Sequence, residues 1–137
     1  RPFTPAPPLP FTETLMNLTD TALFQVDFQD GLALPSGYVS PASYRICVYL
    51  RVPAPLLDQG ELRPDQLDLI FAYLYGPGWR DGNEDGSRYV WRDLKVRRLS
   101  SAEREAREYA KEDPAFRYWY CELKEDGSLH KTTLEAL

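Results

Sequence analysis

The sequence predicts an α+β domain in which an antiparallel sheet of about four to six strands packs against one or two helices. Several segments alternate apolar and polar residues, the pattern of half-buried strands. One later segment opens with helix-capping residues, and turn-forming stretches rich in Gly, Pro, Asp and Ser separate these elements. The 137 residues are enough for one compact core, which we place in a single domain spanning residues 12–137.

The first eleven residues, RPFTPAPPLPF, contain five prolines. Proline has no backbone N–H and a fixed φ, so this segment is predicted to be an extended arm. Two interpretations stay open: an arm free in solution, or an arm docked on aromatic side chains, as proline-rich segments dock in partner grooves.

Strands are predicted over Ala22–Phe28, Tyr44–Val52, Arg88–Arg98 and Phe116–Lys124. A turn at residues 125–128 then allows Leu129–Thr133 to return as a short hairpin partner. These segments supply the antiparallel sheet.

The segment Gln66–Tyr75 fits two periods. Aromatic and branched residues favour a strand, paired across the following loop with Arg88–Arg98. A helix that begins near Pro64 is the alternative, because proline is favoured in the first turn of a helix.

A helix is predicted to begin at Ser100, which forms a capping box with Glu103. Its apolar stripe is short and made of small residues with one tyrosine. We therefore expect it to pack closely against the sheet through the stripe Ala102, Ala106, Tyr109 and Ala110.

The charge of −5 is unevenly distributed, since residues 76–98 carry six basic against four acidic side chains. An acidic total argues against sequence-independent coating of DNA. No apolar run approaches the ~18 residues of a membrane span, and no signal-peptide pattern is present. Cys47 and Cys121 are far apart in the sequence and are predicted to be free thiols, which favours the cytoplasm.

The stretch from Asp81 to Gly86 matches the opening of a calcium loop. The twelfth position of that loop, which needs a bidentate carboxylate, is Arg92, and the eighth is Arg88. We therefore interpret the stretch as a polar turn, and predict no metal and no cofactor.

Catalytic patterns are sparse. The one histidine, His130, is predicted to be exposed in a turn or edge strand, and no nucleophile motif, phosphate loop or dinucleotide fingerprint is present. A small hydrolase with an unrecognised pair of carboxylates is an open alternative, because such pairs leave no local motif.

Counting alternate residues along the strands predicts one aliphatic face and one face rich in Tyr, Trp and Arg, the residue types enriched at binding hot spots. A competing interpretation is that the arm, or the loop after Pro53, covers this second face and makes it a second small core. The predicted partner-binding residues are Arg45, Tyr49, Arg51, Tyr89, Trp91, Lys95, Arg97, Tyr118 and Tyr120.

The expected function is that of a small, acidic, non-enzymatic regulatory protein that docks on a larger protein through this face. Transcription or replication machinery is a conjectured partner, because its surfaces are often basic. Binding of single-stranded RNA through the basic aromatic strand 88–98 is the alternative, although the aromatic RNA-binding motif of sheet proteins is absent.

Overall fold

A computed structural model gives the structure of the chain and describes residues 20–137. The predicted proline-rich arm, residues 1–11, and the first residues of the predicted domain lie outside this part of the chain.

Five strands form one sheet in the order β3-β1-β2-β4-β5. Their bounds confirm the predicted strands and lengthen the first two, which continue into a long hairpin. The strands are β1, Thr21–Ala33; β2, Val39–Pro53; β3, Arg88–Arg98; β4, Phe116–Leu123; and β5, Leu129–Lys131.

The α+β class is confirmed, but the prediction of a purely antiparallel sheet is wrong, because β2 and β4 are parallel. Both β3 and β2 run opposite to β1, so β3 and β4 point the same way. The chain must therefore travel back along the sheet between them, as every parallel connection requires a crossover. Residues 99–115 make that crossover.

The first helix, α1, spans Pro64–Tyr75. The preference for a strand here is wrong, and the alternative helix is confirmed. Pro64 starts the first turn, and Gln66 accepts a hydrogen bond from the Arg63 backbone N–H at 2.8 Å through its side-chain oxygen. Gly76, at φ 95°, closes the other end by donating its N–H to the Ala72 carbonyl at 2.8 Å. These signals at the two ends favour a helix in a segment whose apolar periodicity fits both a helix and a strand.

The main core lies between α1 and one side of the sheet, which we call the helix face. Ile70 and Phe71 of α1 pack there against the apolar residues of the central strands. The sheet side of this core consists of Ala22, Phe24, Val26, Phe28, Ile46, Val48, Leu50, Val52, Cys121 and Leu123. The other side of the sheet is called the far face.

The crossover contains a second, short helix, α2, over Ser101–Ala106. Its predicted capping box with Glu103 is confirmed, since the Ser100 hydroxyl accepts from the Glu103 N–H at 3.1 Å. Close packing through small residues is wrong, because α2 buries no residue and ends where Arg107 adopts φ 56°. Tyr109, in a one-turn 3-10 helix at Glu108–Ala110, is buried instead.

Two further one-turn 3-10 helices follow β2 and β5, at Ala54–Leu56 and Leu134–Ala136. The predicted hairpin after β4 is confirmed and pairs three residues of each strand. Among residues 20–137, no helix has the length and apolarity needed to cross a membrane.

Candidate docking surface

A second, smaller core occupies the far face. Tyr49 of β2 is only 3% exposed and lies beneath Tyr109 of the crossover, with ring centroids 5.3 Å apart. Its ring is nearly parallel to those of Tyr118 and Tyr120 on β4, at 6.2 and 6.0 Å. Burial, the largest effect, raises the pKa of all three hydroxyls. The competing interpretation, a second small core, therefore describes this part of the far face.

Among the described residues, the cover over this second core comes from the crossover and the C-terminal end of the chain, through Leu99, Tyr109, Leu134 and Leu137. The loop after Pro53, one of the two predicted covers, contributes no residue to this core, and the arm lies outside the described residues. A purely antiparallel sheet needs no crossover connection, so the predicted antiparallel sheet gives no expectation of this cover.

Tyr89 and Trp91 do not share the far face, and this part of the predicted grouping is wrong. A bulge in β3 lies opposite Phe28, since Asp27 pairs with Lys95 but Gln29 pairs with Arg92. Asp93 takes φ 55° at this point, and one extra residue reverses the alternation on either side of it. Strand parity counted straight through β3 therefore assigns its first half to the wrong side.

Trp91 instead completes an aromatic cluster on the helix face. Its ring stacks on Phe71 of α1 at 4.3 Å and meets Trp79 edge-on at 5.0 Å. Tyr89 lies against Tyr75, with centroids 4.7 Å apart. Both residues are partly buried and belong to the packing of α1 on the sheet.

The predicted arginines of β2 lie on the far face and have intramolecular partners. Arg51 forms a 2.7 Å ion pair with Glu122 and donates to the Ala136 carbonyl at 2.6 Å. This arginine lowers the pKa of the Glu122 carboxyl. Arg45 lies 3.6 Å from the carboxylate of Asp93 at the bulge. Arg51 thus ties the C-terminal segment to the sheet, and Arg45 supports the bulge.

Lys95 and Arg97 remain exposed on the far face, as their pairing with Asp27 and Gln25 dictates. Arg97 is held by Glu103 at 2.5 Å and by Gln25 at 3.0 Å. Lys95 has no ion pair among the described residues. The role of these seven far-face residues in binding a partner stays a prediction.

The surface that sequence reasoning missed is the outer edge of β3 after the bulge. Leu94 is 44% exposed and Val96 is 40% exposed, although alternation along β3 predicts that both lie on the aliphatic face of the sheet. We call residues 94–98 the edge segment. The five basic residues of β3 are the signal that could have found it, because charged residues are typical of edge strands.

The calcium-like stretch forms turns. The Asp85 carboxylate accepts from both the N–H and the hydroxyl of Ser87, at 2.9 and 2.5 Å. These hydrogen bonds lower the pKa of that carboxyl. Asn83 donates its backbone N–H to the Ser87 carbonyl at 2.7 Å. These contacts are those of an Asx turn between α1 and β3, as predicted.

Cys47 and Cys121 are buried free thiols on opposite faces of the sheet, so the prediction of free thiols is confirmed. Burial raises the pKa of Cys121 to about 11. Burial, followed by the neighbouring Asp27, raises the pKa of Cys47 even further. Both side chains are therefore protonated at neutral pH.

We expect neither thiol to react with a disulfide reagent such as Ellman's reagent at neutral pH while the protein is folded, because the thiolate is the reactive form. Both should react rapidly in denaturant, which serves as the positive control. Rapid labelling of either cysteine in the native protein would contradict the buried, protonated state. Peptide mapping would identify which cysteine had reacted.

His130 is exposed on the edge strand β5, as predicted. Its Nε2 lies 2.8 Å from the Ser128 hydroxyl, whose proton is directed to Asp126 at 2.6 Å. In a catalytic triad the histidine stands between serine and acid, whereas here the serine stands between them. This arrangement closes the turn and does not activate the serine.

The chain was compared with models of known protein families, with curated proteins and with solved structures, and none of the three comparisons gives a match.

Proposed function

We propose that this protein is a small regulatory module that binds an extended, acidic segment of a larger protein by strand addition to β3. The observation that carries the proposal is an edge strand with exposed aliphatic side chains and basic side chains in alternation. Binding of this kind gains affinity from main-chain hydrogen bonds and specificity from alternate side chains.

The backbone of the edge segment supports strand addition. Among the described strands, β3 pairs only with β1, so the polar groups along its other side can accept a further strand. Natural proteins usually protect long edges by bulges and charges. The bulge at Asp93 protects the first half of β3, and residues 95–98 continue beyond it as a regular ladder with β1.

The side chains of the edge segment specify which strand would fit. Val96 pairs with Val26 and is directed to the helix face, and Leu94, next to the bulge at Asp93, adds a second exposed aliphatic side chain. Lys95 and Arg97 are directed to the far face. A complementary strand alternates apolar residues, which contact Leu94 and Val96, with acidic residues, which face Lys95 and Arg97.

Charge explains why this edge selects a partner other than another copy of itself. The strand carries five basic residues against Asp93 alone, so two copies of β3 placed edge to edge would repel. An acidic strand is attracted, and the attraction accelerates encounter and sets the register.

We further propose that the protein has a regulatory role and acts in the cytoplasm. Two buried, unpaired thiols on opposite faces of the sheet suit a reducing environment. The partner that this edge would accept is an acidic extended segment of a larger protein, and not the basic surface for which transcription or replication machinery was conjectured.

The test uses a fluorescent peptide of alternating valine and glutamate, with fluorescence anisotropy as the readout. We expect saturable binding that weakens with added salt. Two peptides N-methylated at alternate backbone positions probe strand addition directly, because an added strand uses only one of its two edges. One methylated peptide should lose binding and the other should retain it.

Lys95→Glu should weaken binding about fivefold, since it replaces one exposed attraction by a repulsion. Lys131→Glu is the matched control, because Lys131 lies on the other edge strand, β5. Equal binding by both methylated peptides, or equal effects of the two charge reversals, would reject strand addition at β3. Tighter binding of labelled oligouridine, lost steeply with salt, would favour the RNA alternative instead.

A further inference from the structure

A cavity of about 350 Å³ lies on the helix face, at the C-terminal end of α1. Its lining is mainly apolar and aromatic, with Tyr44, Tyr75 and Trp119 beside two aliphatic residues. Its two charged lining residues are Asp30 and Arg117. The volume falls within the range of roughly 300–1,000 Å³ that is common for small-molecule sites. No residue of β3 lines it, so it is separate from the edge segment.

One carboxylate oxygen of Asp30 lacks a partner. Its Oδ2 accepts a hydrogen bond from the Tyr75 hydroxyl at 2.7 Å, while its Oδ1 is buried and has no donor among the described residues. The indole N–H of Trp91, which pairs with Asp30 across the two strands, is also buried without a partner. A buried acceptor without a donor is costly, so a ligand that supplies an N–H to Asp30 gains free energy.

The opposite charge at the cavity belongs to Arg117. Its guanidinium lies over the Tyr44 ring, 4.6 Å from the centroid, and forms no ion pair within residues 20–137. A guanidinium oriented by an aromatic ring presents its N–H groups in a fixed plane, which suits a carboxylate. Arg117 is therefore positioned to bind an anionic group.

The two charges restrict the chemical class of the ligand. A simple cation that approached Asp30 would be repelled by Arg117, and a simple anion at Arg117 would be repelled by Asp30. We propose that the cavity binds a small zwitterion, such as a free amino acid, with its ammonium at Asp30 and its carboxylate at Arg117. An apolar or aromatic body then packs against Trp119 and Tyr75.

Calorimetric titration of the full chain tests this assignment with the free L-amino acids that have aliphatic or aromatic side chains. We expect at least one of them to bind saturably at millimolar concentration. For that amino acid, the N-acetyl derivative lacks the ammonium and the amide lacks the carboxylate. Each derivative should bind about tenfold to a hundredfold more weakly, the effect of losing a hydrogen bond to a charged group.

Asp30→Asn and Arg117→Gln should each weaken binding of the amino acid by a similar factor, with Glu105→Gln and Arg80→Gln as exposed controls outside the cavity. Arg117 is exposed, so its variant should fold even if Asp30→Asn does not, and thermal melts of both check this. Absence of binding by every amino acid tested would overturn the assignment. Binding unchanged by Arg117→Gln, or a blocked derivative that binds as tightly as the free amino acid, would overturn it as well.

Discussion

Trp91→Ala is expected to lower the free energy of unfolding by about 3–5 kcal/mol, the range for truncating a large core aromatic. The indole stacks on Phe71 at 4.3 Å and lies 5.0 Å from Trp79. Its removal leaves a void between β3 and α1, next to the rings of Phe71 and Trp79. Chemical denaturation followed by circular dichroism measures the loss.

Tyr38→Ala is the matched control, because this tyrosine is 62% exposed in the turn between β1 and β2 and should change stability little. Trp91→Phe keeps an aromatic ring and should recover most of the loss. If Trp91→Ala lowered the free energy of unfolding only slightly and also weakened binding of the acidic peptide, Trp91 would belong to an exposed docking surface instead. The control and the peptide titration separate these outcomes.

The misplacement of Trp91 shows where strand periodicity stops being informative. Alternation assigns faces correctly in β1 and β2, whose inward residues form the main core. In β3 the assignment holds for Lys95 and Arg97 and fails before Asp93, because the bulge inserts one residue. Asp tolerates a left-handed backbone better than most residues. That is a weak local signal, and the bulge itself depends on pairing with β1.

Helix α1 illustrates a different limit. Its apolar residues fit both periods, so burial alone could not discriminate strand from helix. The information lay at the ends, in Pro64, Gln66 and Gly76. Beginning from these capping signals instead of from aromatic content would have predicted the helix.

The parallel pairing of β2 and β4 depends on topology, which no local pattern encodes. The register that sets Tyr49 beside Tyr120 joins residues far apart in the sequence. The same pairing forces the crossover over the far face. For this reason the observed surface differs from the predicted one more than the fold does. The aromatic residues that alternation predicts to be exposed together are divided between two cores.

Exposure of Leu94 and Val96 follows from the same topology. Their alternation is that of core residues, and only the position of β3 at the edge of the sheet leaves them open. The basic character of the strand was visible in the sequence. What the sequence could not show is that the aliphatic residues between the basic ones share that exposed edge.

Tyr49→Ala is expected to cost about 3–5 kcal/mol of the free energy of unfolding, because its ring is the centre of the far-face core. The ring lies against Tyr109, Tyr118 and Tyr120, and it is only 3% exposed. Denaturant titration at neutral pH measures the loss. Tyr44→Ala is the control on the same strand, since Tyr44 is 41% exposed.

A double-mutant cycle with Tyr109→Ala tests whether the crossover forms one core with β2. The two rings are in contact, so we expect a coupling energy of about 0.5–1.5 kcal/mol. Additive losses in the cycle would mean that the crossover only lies over the far face and does not stabilise it.

Tyr49→Phe adds a pH test, because the folded protein raises the pKa of the Tyr49 hydroxyl. Stability from a raised tyrosine pKa is complete below the unfolded value of about 10 and falls as the pH rises above it. Tyr49→Phe should therefore lose less stability than the parent at alkaline pH.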